Sequence, residues 1–303
     1  ITGIVYIGII VGFFFLRHVH TSLFGILVYA FSIIGTLEMI QAFAHKSAQP
    51  DGSLAPKVAM TNAQKSAVMT YAVFFAPAYY TVNHLYPGEG YRAMLVLSFV
   101  LGIILLCLLV VDRKTTLEGV GASLLCGFYP TAILATMLLT NDLGQGSTLA
   151  LLLIFTISPI ADSFAFVVGS LVKGKKLCPS ISPNKTISGA IGGVVFGTGG
   201  CLLIYWLYTL TTSYVYAGFG NPWVMFTIVG IICSVMTEFG DLVESVLKRR
   251  IGIKDMGKIL PGHGGILDRI DGTLFASTFI YIVFVLFIPV SYTHLRAHET
   301  TLH

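Results

Sequence analysis

Residues 245–271, SVLKRRIGIKDMGKILPGHGGILDRID, hold six cations, three acids, a histidine and a Gly-rich turn. Elsewhere charge is scarce: only 11% of the chain is Asp, Glu, Lys or Arg. Upstream, Glu238, Asp241, Ser245 and Lys248 follow spacings of 3, 4 and 3, which puts them on one helical face with Glu244 beside them. Downstream, Asp268 and Asp271 stand three apart at the entrance to a further apolar segment. Carboxylates brought together from two helices suit a divalent cation such as Mg²⁺, which also binds phosphate oxygens. The Lys248-Arg249-Arg250 cluster suits phosphates, although such a cluster also orients a membrane helix with no substrate bound. In Pro261-Gly262-His263-Gly264-Gly265, glycines open backbone conformations closed to other residues, and successive N–H groups can then cradle an anion. The chemistry these residues point to is phosphates and a metal ion handled at the edge of a bilayer.

A second constellation lies upstream. Asp162 sits in an apolar segment beside Pro159, and a carboxylate in such a place marks either a site or a hydrogen-bonded helix–helix contact. After that segment come Lys173, Lys175 and Lys176, then Ile181-Ser182-Pro183-Asn184-Lys185-Thr186. This reads as a tight, Pro-set turn offering donors to a phosphate or a base edge. Gly189, Gly192 and Gly193 follow and permit close helix packing. For Glu238, Glu244 and Asp241 the plainer alternative is a Glu–Lys or Asp–Lys pair that snorkels at a helix end.

The elements that must position these residues are hydrophobic helices. The chain has 303 residues, 55% of them hydrophobic, with a mean hydropathy of +0.84. A soluble domain carries about 25% charged residues. Nine apolar segments are long enough to span, at roughly 1–16, 22–43, 66–86, 93–111, 117–140, 148–172, 189–211, 222–247 and 272–290. The first lacks a Met and reads as truncated, and no segment has the pattern of a signal peptide. Fifteen of the 18 Lys and Arg residues fall in alternate loops of that arrangement, which orients those loops to the cytoplasm. The net charge of +4 thus suits anionic headgroups rather than nucleic acid. The five cysteines form no C-x-x-C pair and read as free packing residues. The expected fold is an all-α polytopic integral membrane protein of about nine transmembrane helices, with its active site at the cytoplasmic side between the C-terminal helices. Residues 1–116 read as scaffold and lipid-facing helices, 117–290 as the catalytic region and 291–303 as a non-native or disordered tail. The 44–65 connection, with Gln49-Pro50-Asp51-Gly52, reads as a plain loop.

Residues 245–271 resemble the signature of the phosphatidate cytidylyltransferase (CDP-diacylglycerol synthase) family. Ser245, Lys248, Arg249, Lys254, Asp255, His263, Gly264, Gly265, Asp268, Arg269 and Asp271 all match it with correct spacing. The Ser-Pro-Asn-Lys-Thr run and Asp162 are also similar to the family, except that Ser188 stands where the family has an acid. The resemblance implies a bacterial-type inner-membrane enzyme that joins CTP and phosphatidic acid into CDP-diacylglycerol and pyrophosphate with Mg²⁺, leaving room for a second metal ion and a homodimer. It implies metal ligands at Asp241 and Asp268, then Asp271 and Asp162. Lys248, Arg249 and Arg269 would hold phosphates. Ser182, Lys185, Thr186, Ser245, Lys254, Asp255, His263, Gly264 and Gly265 would line the substrates. A CTP-dependent polyprenol or phytol kinase would lack the H-G-G-x-x-D-R-x-D run. A transporter would line an ion path with Asp162, Glu238 and Asp241, but no internal repeat accompanies them.

Overall fold

The structure, a computed structural model, describes residues 2–48, 54–212, 214–260, 262 and 264–288. Pro261, His263, the 49–52 turn and the tail at 291–303 lie outside the described residues. The elements run α1 (Thr2–Leu16), α2 (Thr21–Phe43), β1 (Lys46–Ala48), β2 (Leu54–Pro56), α3 (Asn62–Leu85), α4 (Gly90–Val111), α5 (Leu117–Gly127), a π turn (Phe128–Ala132) and α6 (Ile133–Asn141). They continue with α7 (Ser147–Val172), β3 (Lys176–Cys178), β4 (Ser182–Thr186), α8 (Ile187–Thr211), α9 (Pro222–Ile251) and α10 (Leu267–Leu286). Each of the nine apolar segments therefore contains a helix, the fifth being α5, the π turn and α6 in succession. The break falls at Pro130, which has no N–H to continue the α ladder.

Among the described residues, seven helical stretches are long and apolar enough to cross a bilayer: α2, α4, α5–α6, α7, α8, α9 and α10. This makes the chain an integral membrane protein, with two fewer such stretches than the nine expected. α1 is too short at 15 residues. α3 is diluted by Gln64, Lys65, Asn83 and His84 and opens with a polar cap, Thr61 N–H donating to Gln64 Oε1 at 2.8 Å.

Two connections differ from expectation. The 44–65 segment carries an antiparallel pair, Lys46–Ala48 against Leu54–Pro56, where a plain loop was expected. Ser182–Thr186 is a strand paired with β3 rather than a tight turn. Strands of three to five residues carry too little alternation to register in sequence. Pro183 is tolerated because neither strand of a two-stranded pair is central.

The chain divides into two compact units. The first comprises residues 1–138, 180–182 and 239–274. In it, Gly35 of α2 lets the helix approach Leu267 and Pro130 so closely that a Cβ there would lie 3.0 Å from each. Thr131 of the π turn shares hydrogen bonds with Ser32 (2.8 Å) and Thr36 (3.0 Å) of α2. Phe24, Met39, Leu101, Leu105, Leu134, Leu267 and Leu274 are among its buried apolar side chains. The second unit comprises residues 139–179, 183–238 and the chain from Phe275 onward. Its α7 and α8 meet along small residues, as the glycine spacing predicts: a Cβ at Gly189 would lie 2.5 Å from Ala165 O, and one at Gly193 2.9 Å from Ala161 O. Phe164 and Phe196 stack across that contact with centroids 4.0 Å apart. All five cysteines are free.

Candidate active site

The motif occupies the last turns of α9, the first turns of α10 and the loop joining them, all within the first unit. α9 runs on to Ile251, so Lys248 is helical as its spacing predicts, and Arg249 and Arg250 belong to the same last turn. Gly252, with φ +92°, ends it, and the N–H groups of Gly252 and Ile253 both donate to Lys248 O at 2.9 Å. Lys57, from beyond β2, donates from Nζ to Arg250 O at 3.0 Å, placing a cation on the carbonyl end of the helix. α10 begins at Leu267, five residues earlier than expected from hydropathy, so Asp268 and Asp271 are helical.

Lys248 joins the two helices. Its Nζ lies 2.8 Å from Asp268 Oδ1 and 3.2 Å from Glu244 Oε1. Asp268 Oδ2 accepts from the N–H of Met256 at 2.9 Å and of Gly265 at 2.7 Å, while Asp271 Oδ1 accepts from its neighbour Gly272 at 2.7 Å. Ser245 Oγ donates to Asp241 Oδ1 at 3.3 Å, so the helical face expected from the 3, 4 and 3 spacing is formed. Asp241 and Glu244 are both within electrostatic reach of Asp271, and Tyr129 of the π turn, nearly buried, is within reach of all four acids. Glu244 is 0% exposed. It makes the i,i+4 pair with Lys248 that sequence allowed, but inside the protein rather than snorkelling outward.

The remaining expected residues divide by unit. Arg249 is exposed and donates from Nε to Ile181 O at 3.3 Å, which brings the start of the Ser-Pro-Asn-Lys-Thr run, with Ser182, to the end of α9. Arg269, Lys254 and Asp255 are exposed. In the second unit, Lys185 Nζ lies 3.0 Å from Glu238 Oε2, and Thr186 Oγ1 accepts the Gly189 N–H at 3.1 Å as the cap of α8. Asp162 belongs to α7, also in the second unit.

The end of the Gly-rich turn and the two residues after it meet carboxylates of the protein itself. Gly265 N–H faces Asp268, and the next two N–H groups, of Ile266 and Leu267, donate to Glu38 at 2.9 and 3.0 Å. Glu38, on α2, is not among the residues that the motif spacing singles out. The signal was present in its isolation, as the sole acid of an apolar 23-residue helix.

Four carboxylates share this face with Lys248. Asp268 has both of its oxygens engaged. Among the described residues, no three acid, histidine or cysteine side chains converge to hold a metal ion as they stand. The donor set is nevertheless of hard carboxylate oxygens, and its negative charge exceeds what one ammonium offsets, so a divalent cation fits its chemistry.

A helical membrane protein with carboxylates and cations at one helix junction has the equipment of a nucleotidyltransferase. Comparison with known proteins agrees. A model described as the cytidylyltransferase family matches residues 1–287. The phosphatidate cytidylyltransferase of Bacillus subtilis is 30% identical over 275 residues, covering 91% of this chain and 93% of that protein. That of Thermotoga maritima is 34% identical over 187 residues, covering 61% of this chain and 67% of that protein. That of Brucella suis is 38% identical over 154 residues, covering 51% and 53%. This chain belongs to the cytidylyltransferase family, and is a nucleotidyltransferase.

Proposed function

We propose that the chain transfers the cytidylyl group of CTP to phosphatidic acid, giving CDP-diacylglycerol and pyrophosphate. The observation that carries this reading is the junction of α9 and α10, where Lys248 ties Glu244 to Asp268 with Asp241 and Asp271 alongside. A phosphate oxygen of the lipid attacks the α-phosphorus of CTP. The bond from that phosphorus to the bridging oxygen breaks, and pyrophosphate leaves with the electron pair. No protein nucleophile is needed. Both reactants are anions, so the residues that matter reduce repulsion and fix an in-line geometry.

Exposed Arg249 and Arg269 would hold phosphate oxygens. Lys248 has three N–H donors, one of them given to Asp268, and a remaining one would meet substrate. Asp241 and Asp271 would hold Mg²⁺; Asp268 would join them on giving up one of its present partners. When bound, the cation offsets charge developing on the phosphate oxygens. The Gly-rich turn, whose Gly265 N–H is engaged by Asp268, would shape the site. The diacylglycerol chains would stay in the bilayer. Fifteen of 18 Lys and Arg residues lie in alternate connections or in the helix-end turns beside them if all nine helices cross, which supports a cytoplasmic location for the cationic end of α9.

The test is pyrophosphate release by the purified protein in detergent–lipid micelles with phosphatidic acid, CTP and Mg²⁺, followed by lipid mass analysis. A CMP-sized gain on phosphatidic acid that needs all three components is expected. Well-folded protein that yields no such product would refute the reading.

A further inference from the structure

We propose that Glu38 is a positioning residue for the reaction, one that holds the motif loop and the start of α10 in place from α2. The inference rests on the cytidylyltransferase reading above. Glu38 is 1% exposed and lies 228 residues in sequence from the first N–H it accepts. Its two oxygens take one N–H each, from Ile266 and Leu267, where α10 begins. The first N–H groups of a helix have no partner within it, and a carboxylate there also meets the favourable end of the helix dipole. The residue before α10, Ile266, has no side chain able to cap. The cap is therefore delivered from another helix.

The surroundings are shaped to admit it. A Cβ at Gly265 would lie 2.5 Å from Glu38 Oε1, and one at Gly257 would also overlap that carboxylate. Gly35, nearly one turn before Glu38, permits the close approach of α2 to Leu267. The hydrogen bonds of Ser32 and Thr36 to Thr131 brace the same stretch of α2. Next to Glu38's two N–H donors, Asp268 Oδ2 takes those of Gly265 and Met256. Two carboxylates thus gather four backbone N–H groups of one loop. With Glu38 fixing residues 266 and 267, Asp268 is left with its other oxygen on Lys248. Glu38 touches none of the proposed phosphate-holding cations, so its effect on turnover would pass through the placement of Asp268 and Asp271.

The experiment compares the full chain with Glu38→Gln and Gly265→Ala in detergent–lipid micelles. Hydrogen exchange of peptides covering 256–270, thermal stability, and kcat and KM for both substrates are measured. Glutamine keeps the shape but turns an NH₂ toward a backbone N–H, losing one acceptor. Exchange at 265–268 is expected to quicken about 10-fold or more, while α7 and α8 stay unchanged. The turnover number is expected to fall about 10- to 100-fold, with KM for phosphatidic acid within about 3-fold. Gly265→Ala, which crowds the carboxylate without altering charge, should reproduce the pattern. Unchanged exchange at 265–268 in both variants would overturn the proposal, as would faster exchange with an unaltered turnover number per folded molecule. A wild-type chain that forms no cytidylyl product refutes the underlying reaction instead, and shows itself before any variant is made.

Discussion

Replacing Lys248 with methionine tests the arrangement at the junction of α9 and α10 directly. The substitution keeps much of the side chain's reach and removes its charge. In the wild type the ammonium is 2.8 Å from Asp268 and 3.2 Å from Glu244, whose side chains are 4% and 0% exposed. Removing one partner of a buried pair destabilises by about 3–5 kcal/mol, because the other charge is left uncompensated. Asp268, the carboxylate that the cation meets most closely, is the one left without it. At about 2–4 °C per kcal/mol, the thermal midpoint should fall by on the order of 10 °C. Scans at one fixed rate in one detergent make the comparison valid even where unfolding is irreversible. Adding Asp268→Asn to Lys248→Met removes the stranded charge and should recover part of the loss. Turnover should stay reduced by about 10²- to 10³-fold in both variants, since neither restores the cation. A single variant that melts with the wild type, or a double variant no more stable than the single, would mean that Lys248 does not offset a buried charge at this junction.

Asp241→Asn is expected to nearly abolish turnover while the protein still inserts and folds; near-normal activity would sink its assignment as a metal ligand. Chelation by EDTA should stop the reaction and added Mg²⁺ restore it. The Lys185–Glu238 pair of the second unit should give a coupling of about 0.5–3 kcal/mol in a double-mutant cycle with Lys185→Met and Glu238→Gln, whereas additive effects would show the pair to be idle. Gly189→Val should destabilise by about 1–3 kcal/mol, because its Cβ would lie 2.5 Å from the backbone oxygen of Ala165. Gly121→Ala, inside α5 with nothing within 4 Å of the added carbon, is the control and should raise the melting temperature slightly rather than lower it, since alanine is favoured over glycine within a helix.

Hydropathy was a good guide to where helices lie, because apolar runs of about 20 residues have few other fates in a chain so poor in charge. It was a weaker guide to where they end. α9 and α10 extend into charged sequence because Lys, Arg and Asp are tolerated in terminal turns, where carbonyls or N–H groups favour their charge. The stops are instead local backbone events, such as the positive φ of Gly252. The 3, 4 and 3 spacing made the Asp241–Ser245–Lys248 face legible, and the glycine spacing made the α7–α8 contact legible. Pairing was not legible. Lys185 could have met any of several acids, and its partner Glu238 follows from packing within the second unit. Nor does spacing reveal that the N–H groups of the Gly-rich turn face Asp268 and Glu38, since that depends on a side chain from the far end of the chain.

That long-range contact has a counterpart. The loop between α9 and α10 begins where Lys57 caps the carbonyl end of α9 and closes where Glu38 caps the amide end of α10. The signs are those each helix end favours, a cation on exposed carbonyls and an anion on exposed N–H groups. The loop needs such clamps more than most. Gly252, Gly257, Gly262, Gly264 and Gly265 lie within it, and glycine loses more backbone freedom on ordering than any other residue. Left to its own sequence, a loop this rich in glycine would sample many arrangements of Asp268 against Lys248. Clamping both ends from the N-terminal part of the chain reduces them toward one. The flexibility of the motif and the two charged side chains of residues 1–116 that grip its ends therefore belong to one design: the glycines allow the close approach, and Glu38 and Lys57 supply the order that the glycines cannot.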